Sequence, residues 1–321
     1  MAEVAFPGPP SCSGETICTL FDGDFHYGLA AMLNSLVQAG YKGTVWAGYR
    51  GALPPWVNQL KRLDGPGDAY RVTEQIRVVF VLLETRIHLA LYKPQFMLDL
   101  LANHARGCEY IWFFDSDIFL RGKWSFFVNW QRFGIAVCQD ILHHVLPEHD
   151  PLRQEWAEIA AGMGLGKPRV LSQYFNSGLV GVPAAQAGFL QLWQRLIEQA
   201  GKMGADLNRL TTGGREMPFH IPDQDALNVA VMVTEYPISP TGPEIMGFRP
   251  GRPVTYHAVG TKPWRGSVLL RALAGEAPSG AAKFYFTQVS SPIRLYSWLG
   301  FRRKRLECAA AGFIGRFYRR A

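Results

Sequence analysis

The sequence predicts an α/β fold with a mostly parallel sheet covered on both faces by helices. Two observations predict it. Short apolar runs recur along the chain and alternate with segments of helical periodicity, the signature of strands joined through helices. The chain has 321 residues and 48% hydrophobic content, enough for one large core, and an open α/β sheet of this size is usually one domain. The longest apolar stretch, IRVVFVLLETRIHLALY, is interrupted by Glu84 and Arg86 and does not read as a membrane span. Nine Trp and 13% aromatic content suit either an aromatic-walled cleft or an ordinary large core.

The elements follow in order. Residues 16–21 (TICTLF) read as a buried strand, followed by an Asp/Gly turn and a helix from Tyr27 to Ala39. KGTVWAGY is a second strand, a helix is expected near Pro54–Leu63, and VVFVLL (78–83) is a third strand. Leu89–Ala102 has helical spacing, with Pro94 either in the first turn or at a kink. Tyr110–Phe114 is a short, wholly apolar run, as a strand buried on both faces requires. Ile135–Gln139, Leu179–Val182 and Val254–Ala258 are further strands, and Pro183–Lys202 is the clearest helix. Residues 201–219 and 266–283 read as loops. The expected organisation is a domain over 1–285 and a basic, aromatic tail over 286–321.

Five cysteines (Cys12, Cys18, Cys108, Cys138, Cys308) without C-x-x-C spacing argue against a disulfide framework or a structural zinc site, and for a reducing compartment. The opening MAEVAFPGPPSCSGE lacks a basic start and an apolar core, so it does not read as a signal peptide. Both features point to the cytoplasm. From Arg294 onward there are eight Arg or Lys and one acid, Glu307, which accounts for the whole formal net charge of +7. The chain is therefore a neutral body with a basic tail.

Three Asp-x-Asp triplets are the chemical candidates. Asp115-Ser116-Asp117 stands where the buried run YIWFF stops, and ligands of open α/β sheets bind beyond the carboxyl ends of strands. If the backbone stays extended, both carboxylates share one side and offer hard oxygen ligands suited to Mn²⁺ or Mg²⁺; a simple turn is the alternative. Asp22-Gly23-Asp24 reads as a turn and helix N-cap. Asp223-Gln224-Asp225 follows Pro222 and precedes ALNVAVMV. This is a helix start with acids at the positive end of the dipole; capping explains one Asp, and a cleft role remains open.

Four stretches taken together, FFDSDIF, YFNSGLVGVP, PDQDALN and HAVGTKPWRG, resemble glycosyltransferase family 8, the family of glycogenin and of bacterial lipopolysaccharide galactosyl- and glucosyltransferases. Their order is the family's order, and the opening TLFDGDFHYGLAAMLNSL resembles its nucleotide-binding strand and helix. The resemblance implies a GT-A fold, a single Rossmann-like domain with a mixed, mostly parallel sheet. It also implies retaining, metal-dependent transfer of a hexose from a UDP-sugar to a glycan or glycolipid acceptor. By the same resemblance Asp115, Asp117 and His257 hold the metal, with Ser116 beside the donor. Gly260 and Lys262 approach the diphosphate, although the family's H-x-x-G-x-x-K-P-W is here one residue shorter. Asn176 and Ser177 correspond to a turn beside the donor sugar, and Asp223 and Gln224 to the pair on its β-face. Gln is a poor nucleophile, so an internal-return route is favoured, with Gln224 stabilising charge and Asp223 holding sugar hydroxyls. Lys93 corresponds to a basic donor contact, with a solvated lysine as the alternative. Tyr27 corresponds to the aromatic packed on the base, and Thr19 lies where base or ribose would be reached.

Trp298, Phe301 and their neighbouring arginines suit an anionic membrane surface. A nucleic-acid-binding tail and a helix docked on the body are the alternatives; no nucleic acid is expected in the transferase reading. Acceptor contacts are expected in variable loops at 140–170 and 203–220. The competing functions are a nucleotidyltransferase, for which no Gly-rich phosphate loop is seen, and an inactive sugar-binding scaffold at a membrane.

Overall fold

The computed structural model describes residues 14–64, 67–143, 145–214 and 216–318. Cys12, most of the opening stretch, His144, Arg319 and Arg320 lie outside the described residues. The strands are β1 (Glu15–Phe21), β2 (Gly43–Tyr49), β3 (Lys61–Arg62), β4 (Asp68–Arg71), β5 (Ile76–Leu82), β6 (Tyr110–Phe114), β7 (Ile118–Leu120), β8 (Ile135–Gln139), β9 (Phe175–Pro183), β10 (Ile238–Thr241) and β11 (Thr255–His257). The helices are α1 (His26–Ala39), α2 (Lys93–Asp99), α3 (Ser125–Trp130), α4 (Pro151–Gly162), α5 (Gly188–Lys202), α6 (Pro222–Val233), α7 (Val268–Leu273), α8 (Gly280–Tyr285) and α9 (Trp298–Ile314). Among the described residues no helix is long and apolar enough to cross a membrane.

The chain divides into two compact units. The first holds the chain up to Cys18, Thr85–Phe113 and Val128–Thr241. Its strands run in the order β10-β8-β9-β6-β1. β10 is parallel to β8 and β6 to β1, whereas β8 and β9 are antiparallel. Helix α5 buries Phe189, Leu190, Trp193, Leu196, Ile197 and Ala200, the spacing of one helical face, while every residue of α6 is buried. The sheet is therefore mixed, parallel where β6 meets β1 and antiparallel towards β9.

The second unit holds Thr19–Glu84, Phe114–Phe127 and the chain from Gly242 onward. Its strands run β1-β2-β5-β4-β3, with β2 parallel to β5 and the β5-β4-β3 edge antiparallel. β7 and β11 form a separate antiparallel ribbon. The C-terminal segment is anchored within this unit. Fully buried Asn34 of α1 donates to the carbonyls of Gln288 (2.7 Å) and Ile293 (2.8 Å) and accepts from the Ile293 N–H (2.9 Å). Cys308 and Ala311 of α9 pack into a core with Ala31, Phe119 and Ala258.

Several local expectations are revised. Pro183 ends β9 instead of opening a helix; a 3-10 turn over Ala184–Gln186 intervenes before α5. The helix expected near Pro54–Leu63 is a 3-10 turn, Pro55–Gln59, followed by β3. Residues 266–283, read as loop, carry α7 and α8, each started by a serine cap: Ser267 accepts from the Leu270 N–H and Ser279 from the Ala282 N–H. Region 140–170 contains α4, whose N-cap is Asp150 accepting from the Leu152 N–H at 3.0 Å. Short helices bury too few apolar residues to show a period, so their caps are the only local signal.

Candidate functional site

The Asp115-Ser116-Asp117 segment lies in the second unit. The backbone does not stay extended there: it turns, with the Ile118 N–H donating to the Asp115 carbonyl at 2.9 Å before β7 begins. The two carboxylates nonetheless converge. In the β7–β11 ribbon His257 is paired with Ile118, and the Ala258 N–H donates to the Asp117 carbonyl at 3.0 Å. His257 is thereby carried to the carboxylates, its Nε2 lying 3.2 Å from Asp117 Oδ1 and 3.7 Å from Asp115 Oδ2. One potential ligand atom from each of the three residues falls within 4.8 Å of the others. Two carboxylate oxygens and one imidazole nitrogen are a donor set that fits a divalent ion such as Mn²⁺ or Mg²⁺.

Lys262 completes this corner. Its Nζ donates to Asp117 Oδ2 at 2.5 Å and to the Ala258 carbonyl at 2.8 Å, so the shorter spacing of its motif does not keep it from the cluster. Burial disfavours charge on Asp117, but His257 and Lys262 beside it outweigh burial and hold its carboxyl well below the usual carboxylate range. Gly260 adopts φ +71°, the left-handed region, with open space where a Cβ would stand. The sequence reading overlooked Gly28. A Cβ there would stand 2.5 Å from the Ser116 carbonyl oxygen and 2.8 Å from Trp264. Only glycine lets α1 pack against the Asp-Ser-Asp turn. Its signal was a Gly at the start of a helical pattern, a costly choice unless something approaches closely.

Around the start of α1 the structure refines two readings. Asp22 takes the N-cap position of a 3-10 turn but makes no side-chain cap bond. Instead Asp22 pairs with Arg50 (2.5 Å) and Asp24 with Arg265 (2.6 and 2.5 Å), so this triplet is a salt-bridged turn. Tyr27 stacks on His26 (4.3 Å) and on Tyr296 (6.3 Å). Phe25 is the aromatic beside Lys262, whose Nζ lies 5.4 Å from its ring centre. Thr19 is fully buried, and its hydroxyl has no partner among the described residues.

The first unit holds a separate, wholly buried polar network. Lys93 is 3% exposed, which rules out the solvated alternative. Its Nζ donates to Asp223 Oδ2 (3.1 Å), Ser177 Oγ (3.2 Å) and the Ser177 carbonyl (3.2 Å). Ser177 Oγ donates to the same Asp223 oxygen at 2.6 Å, and Asp223 Oδ1 is buried with no partner. Gln224 Oε1 accepts from Asn176 Nδ2 (3.2 Å) and the Ser177 N–H (3.1 Å). Asn176 and Ser177 lie within β9. Pairing passes from Val137–Val180 to Cys138–Asn176, so residues 177–179 form a bulge that turns the Asn-Ser-Gly segment towards α6.

Asp140 was missed. It follows β8 as Asp115 follows β6, and its Oδ2 accepts from Asn176 Nδ2 (2.5 Å) and Gln224 Nε2 (3.3 Å). The strand-end logic applied to Asp115 would have found it. Asp225 caps α6, accepting from the Ile221 N–H (2.7 Å) and the Tyr174 hydroxyl (2.6 Å). Burial raises its pKa to about 7 despite those two bonds.

No family model and no curated protein matches the sequence. Solved structures do. The chain is similar to the bifunctional glycosyltransferase WbbM in its apo form, with a TM-score of 0.52 at 11% identity over 95% of this chain and 53% of that one. It thus spans about half of WbbM's length. It is also similar to the galactosyltransferase LgtC in complex with donor and acceptor sugar analogues (TM-score 0.48, 18% identity, 90% and 99% covered). A third similar structure is the glycosyltransferase GlyE of Streptococcus pneumoniae TIGR4 (TM-score 0.48, 12% identity, 93% and 64% covered). The property shared with WbbM is the fold, the GT-A arrangement of a mixed sheet flanked by helices.

Proposed function

We propose that the chain is a retaining, metal-dependent glycosyltransferase of the family 8 type, moving a hexose from a UDP-sugar to a glycan or glycolipid acceptor. The observation that carries this reading is the convergence of Asp115, Asp117 and His257 at the end of a buried strand, with Lys262 on the inner carboxylate. These three residues would hold Mn²⁺ or Mg²⁺, which when bound supplies Lewis-acid stabilisation of a departing diphosphate. Lys262, on a flexible stem, can turn from Asp117 to charge developing on the phosphate. Gly260 offers it an unobstructed backbone. Ser116, Thr19 and Tyr27 take the nucleotide side of the donor, with Phe25 as a second aromatic.

In this reading Lys93, Asn176, Ser177, Asp223 and Gln224 take the sugar. The unpartnered, buried Asp223 Oδ1 is an acceptor for a sugar hydroxyl, because leaving a buried carboxylate oxygen unpaired is costly. The Gln224 amide oxygen already accepts two hydrogen bonds, which disfavours it as a nucleophile and supports the internal-return route. The C1–oxygen bond to the diphosphate breaks, the acceptor hydroxyl attacks C1 from the same face, and its proton passes to the departing phosphate oxygen. Gln224 and Asp223 stabilise the positive charge at C1 meanwhile.

The basic tail supports a partner as well as a substrate. Trp298, Leu299, Phe313 and Phe317 are exposed beside Arg302, Arg303, Arg305 and Arg316. An anionic membrane attracts each such cation by about 1 kcal/mol, and would bring the enzyme to a lipid-linked acceptor on a membrane's inner face. The test of the enzyme is a donor screen with Mn²⁺ and UDP-, GDP- and ADP-sugars, reading released nucleoside diphosphate. UDP from one UDP-hexose is expected, lost on chelation and in Asp117→Ala. Absence of both hydrolysis and Mn²⁺-dependent binding of any nucleotide sugar overturns the reading.

A further inference from the structure

We infer that a groove between α8 and the C-terminal helix α9 is a discrete binding site for the phosphate headgroup of an anionic lipid. Its existence rests on the second unit's own geometry, and only the source of the ligand rests on the membrane reading of the tail. The groove has a volume of about 1040 Å³, room for a headgroup and the first part of an acyl chain. Three cations line it, Lys283, Arg305 and Arg316; among the described residues its lining includes no Asp or Glu, and the exposed Glu276 stands between the lining residues Gly275 and Ala277. The nearest acid of α9, Glu307, is engaged elsewhere: it accepts from the Ser267 hydroxyl and the Leu269 N–H and pairs with Lys304. Three cations around one groove favour an anionic occupant; Lys283 and Arg316 flank Gly312, while Arg305 lies over the Phe301 ring at 5.6 Å.

Phe286 and Phe313 supply apolar wall in the same groove. Gly312 leaves its floor open: a Cβ there would meet nothing nearer than Lys283 Cε at 3.5 Å. Phe317, 74% exposed, packs edge-on against Phe313 and extends this apolar surface. An inorganic ion would satisfy the cations and leave this apolar surface in water. A phosphate carrying an acyl chain covers both, and the proposal commits to that occupant. Arg302 provides an internal contrast. It lies over the Trp298 ring at 4.1 Å and does not line the groove.

The experiment is co-sedimentation of the full chain with phosphatidylcholine vesicles with and without phosphatidylglycerol, beside calorimetric titration with short-chain phosphatidic acid and with inorganic phosphate. Lys283→Ala/Arg316→Ala is expected to lower binding to the anionic vesicles by about 100-fold or more, and Gly312→Leu, which keeps every charge, by about tenfold. Arg302→Ala/Arg303→Ala removes the same charge outside the groove and, at about 1 kcal/mol per cation, is expected to lower it by about 30-fold or less. Short-chain phosphatidic acid should saturate the wild type and bind Gly312→Leu far more weakly. The urea midpoint of each variant identifies any that fails to fold, and Lys283→Ala alone then carries the vesicle comparison. Equal losses in both charge pairs, unchanged binding by a folded Gly312→Leu, or inorganic phosphate binding as tightly as the lipid overturns the proposal. None of these residues belongs to the proposed catalytic machinery, so UDP-hexose hydrolysis by the same variants is expected at the wild-type rate. Failure of hydrolysis in the wild type therefore speaks against the transferase reading and not against the groove.

Discussion

The two polar clusters solve opposite problems. The second unit's Asp115–Asp117–His257 corner leaves Asp115 29% exposed and its three donors converging. The first unit's network buries Lys93 and Asp223 almost completely and bonds nearly every polar atom to another. Of the corner's three residues only Asp115 keeps its charge near solvent, where mutation costs little stability; Asp117 and His257 are buried. A network that orients side chains must be buried and satisfied, because half-satisfied it would destabilise the fold. Ligand affinity and folding stability should therefore respond to different residues.

Asp223→Ala tests the network most severely, since it leaves the Lys93 ammonium buried without its carboxylate. A loss of about 3–5 kcal/mol in urea unfolding is expected, with much of it recovered in Asp223→Leu/Lys93→Met. A loss under 1 kcal/mol would place Lys93 in a less desolvated setting than its burial indicates. The counterpart is Asp115→Ala, expected to lower Mn²⁺ affinity about 100-fold, roughly 2.7 kcal/mol, in calorimetric titration. Its urea midpoint should stay near wild type, and a large shift there would erase the distinction between the clusters.

Gly28→Ala sharpens the contrast, because it perturbs the Asp115–Asp117–His257 corner through packing alone. Overpacking against the Ser116 carbonyl costs about 1–3 kcal/mol, offset in part by alanine's better helix propensity. Mn²⁺ affinity should fall along with stability, since the turn carrying both carboxylates must shift. A separate readout is the pH response of the network's edge. Burial raises the pKa of Asp225 from the model-peptide value of 3.8 to about 7, so between those values the folded state holds a proton that the unfolded chain has released. Asp225 therefore supports folding at low pH, and its contribution declines as pH rises from about 4 to 7. Asp225→Asn should flatten that decline in urea midpoints measured across the interval.

How much of the site was legible can be judged residue by residue. Asp115 and Asp117 were found because a carboxylate after a buried strand is a local pattern, and His257 and Lys262 entered through a resemblance in motif order. Lys93 could be read either way, since nothing near it in sequence reports that Asp223, 130 residues later, is its partner. Asp140 carried the same strand-end signal as Asp115 and was passed over because the region after it read as variable loop. The β9 bulge that turns Ser177 towards Asp223 has no local signature beyond Gly178, and the turn at Asp115 replaced the extended backbone from which its pairing was argued.

The sequence by itself determined the α/β class, most strands, the start of α6 and the carboxylate pair Asp115 and Asp117 at a strand end. Each of these depends on periodicity, caps or residue chemistry within a few positions. The tertiary structure alone decided which groups meet: Lys93 with Asp223, Asp140 with Asn176 and Gln224, Gly28 with Ser116, Phe25 with Lys262. It also decided that the basic tail is a helix packed on its own unit. Periodicity reports which face of an element is buried. The partner that satisfies a buried charge is set by chain crossings and strand pairing, and these bring together residues whose local sequences carry no mark of one another.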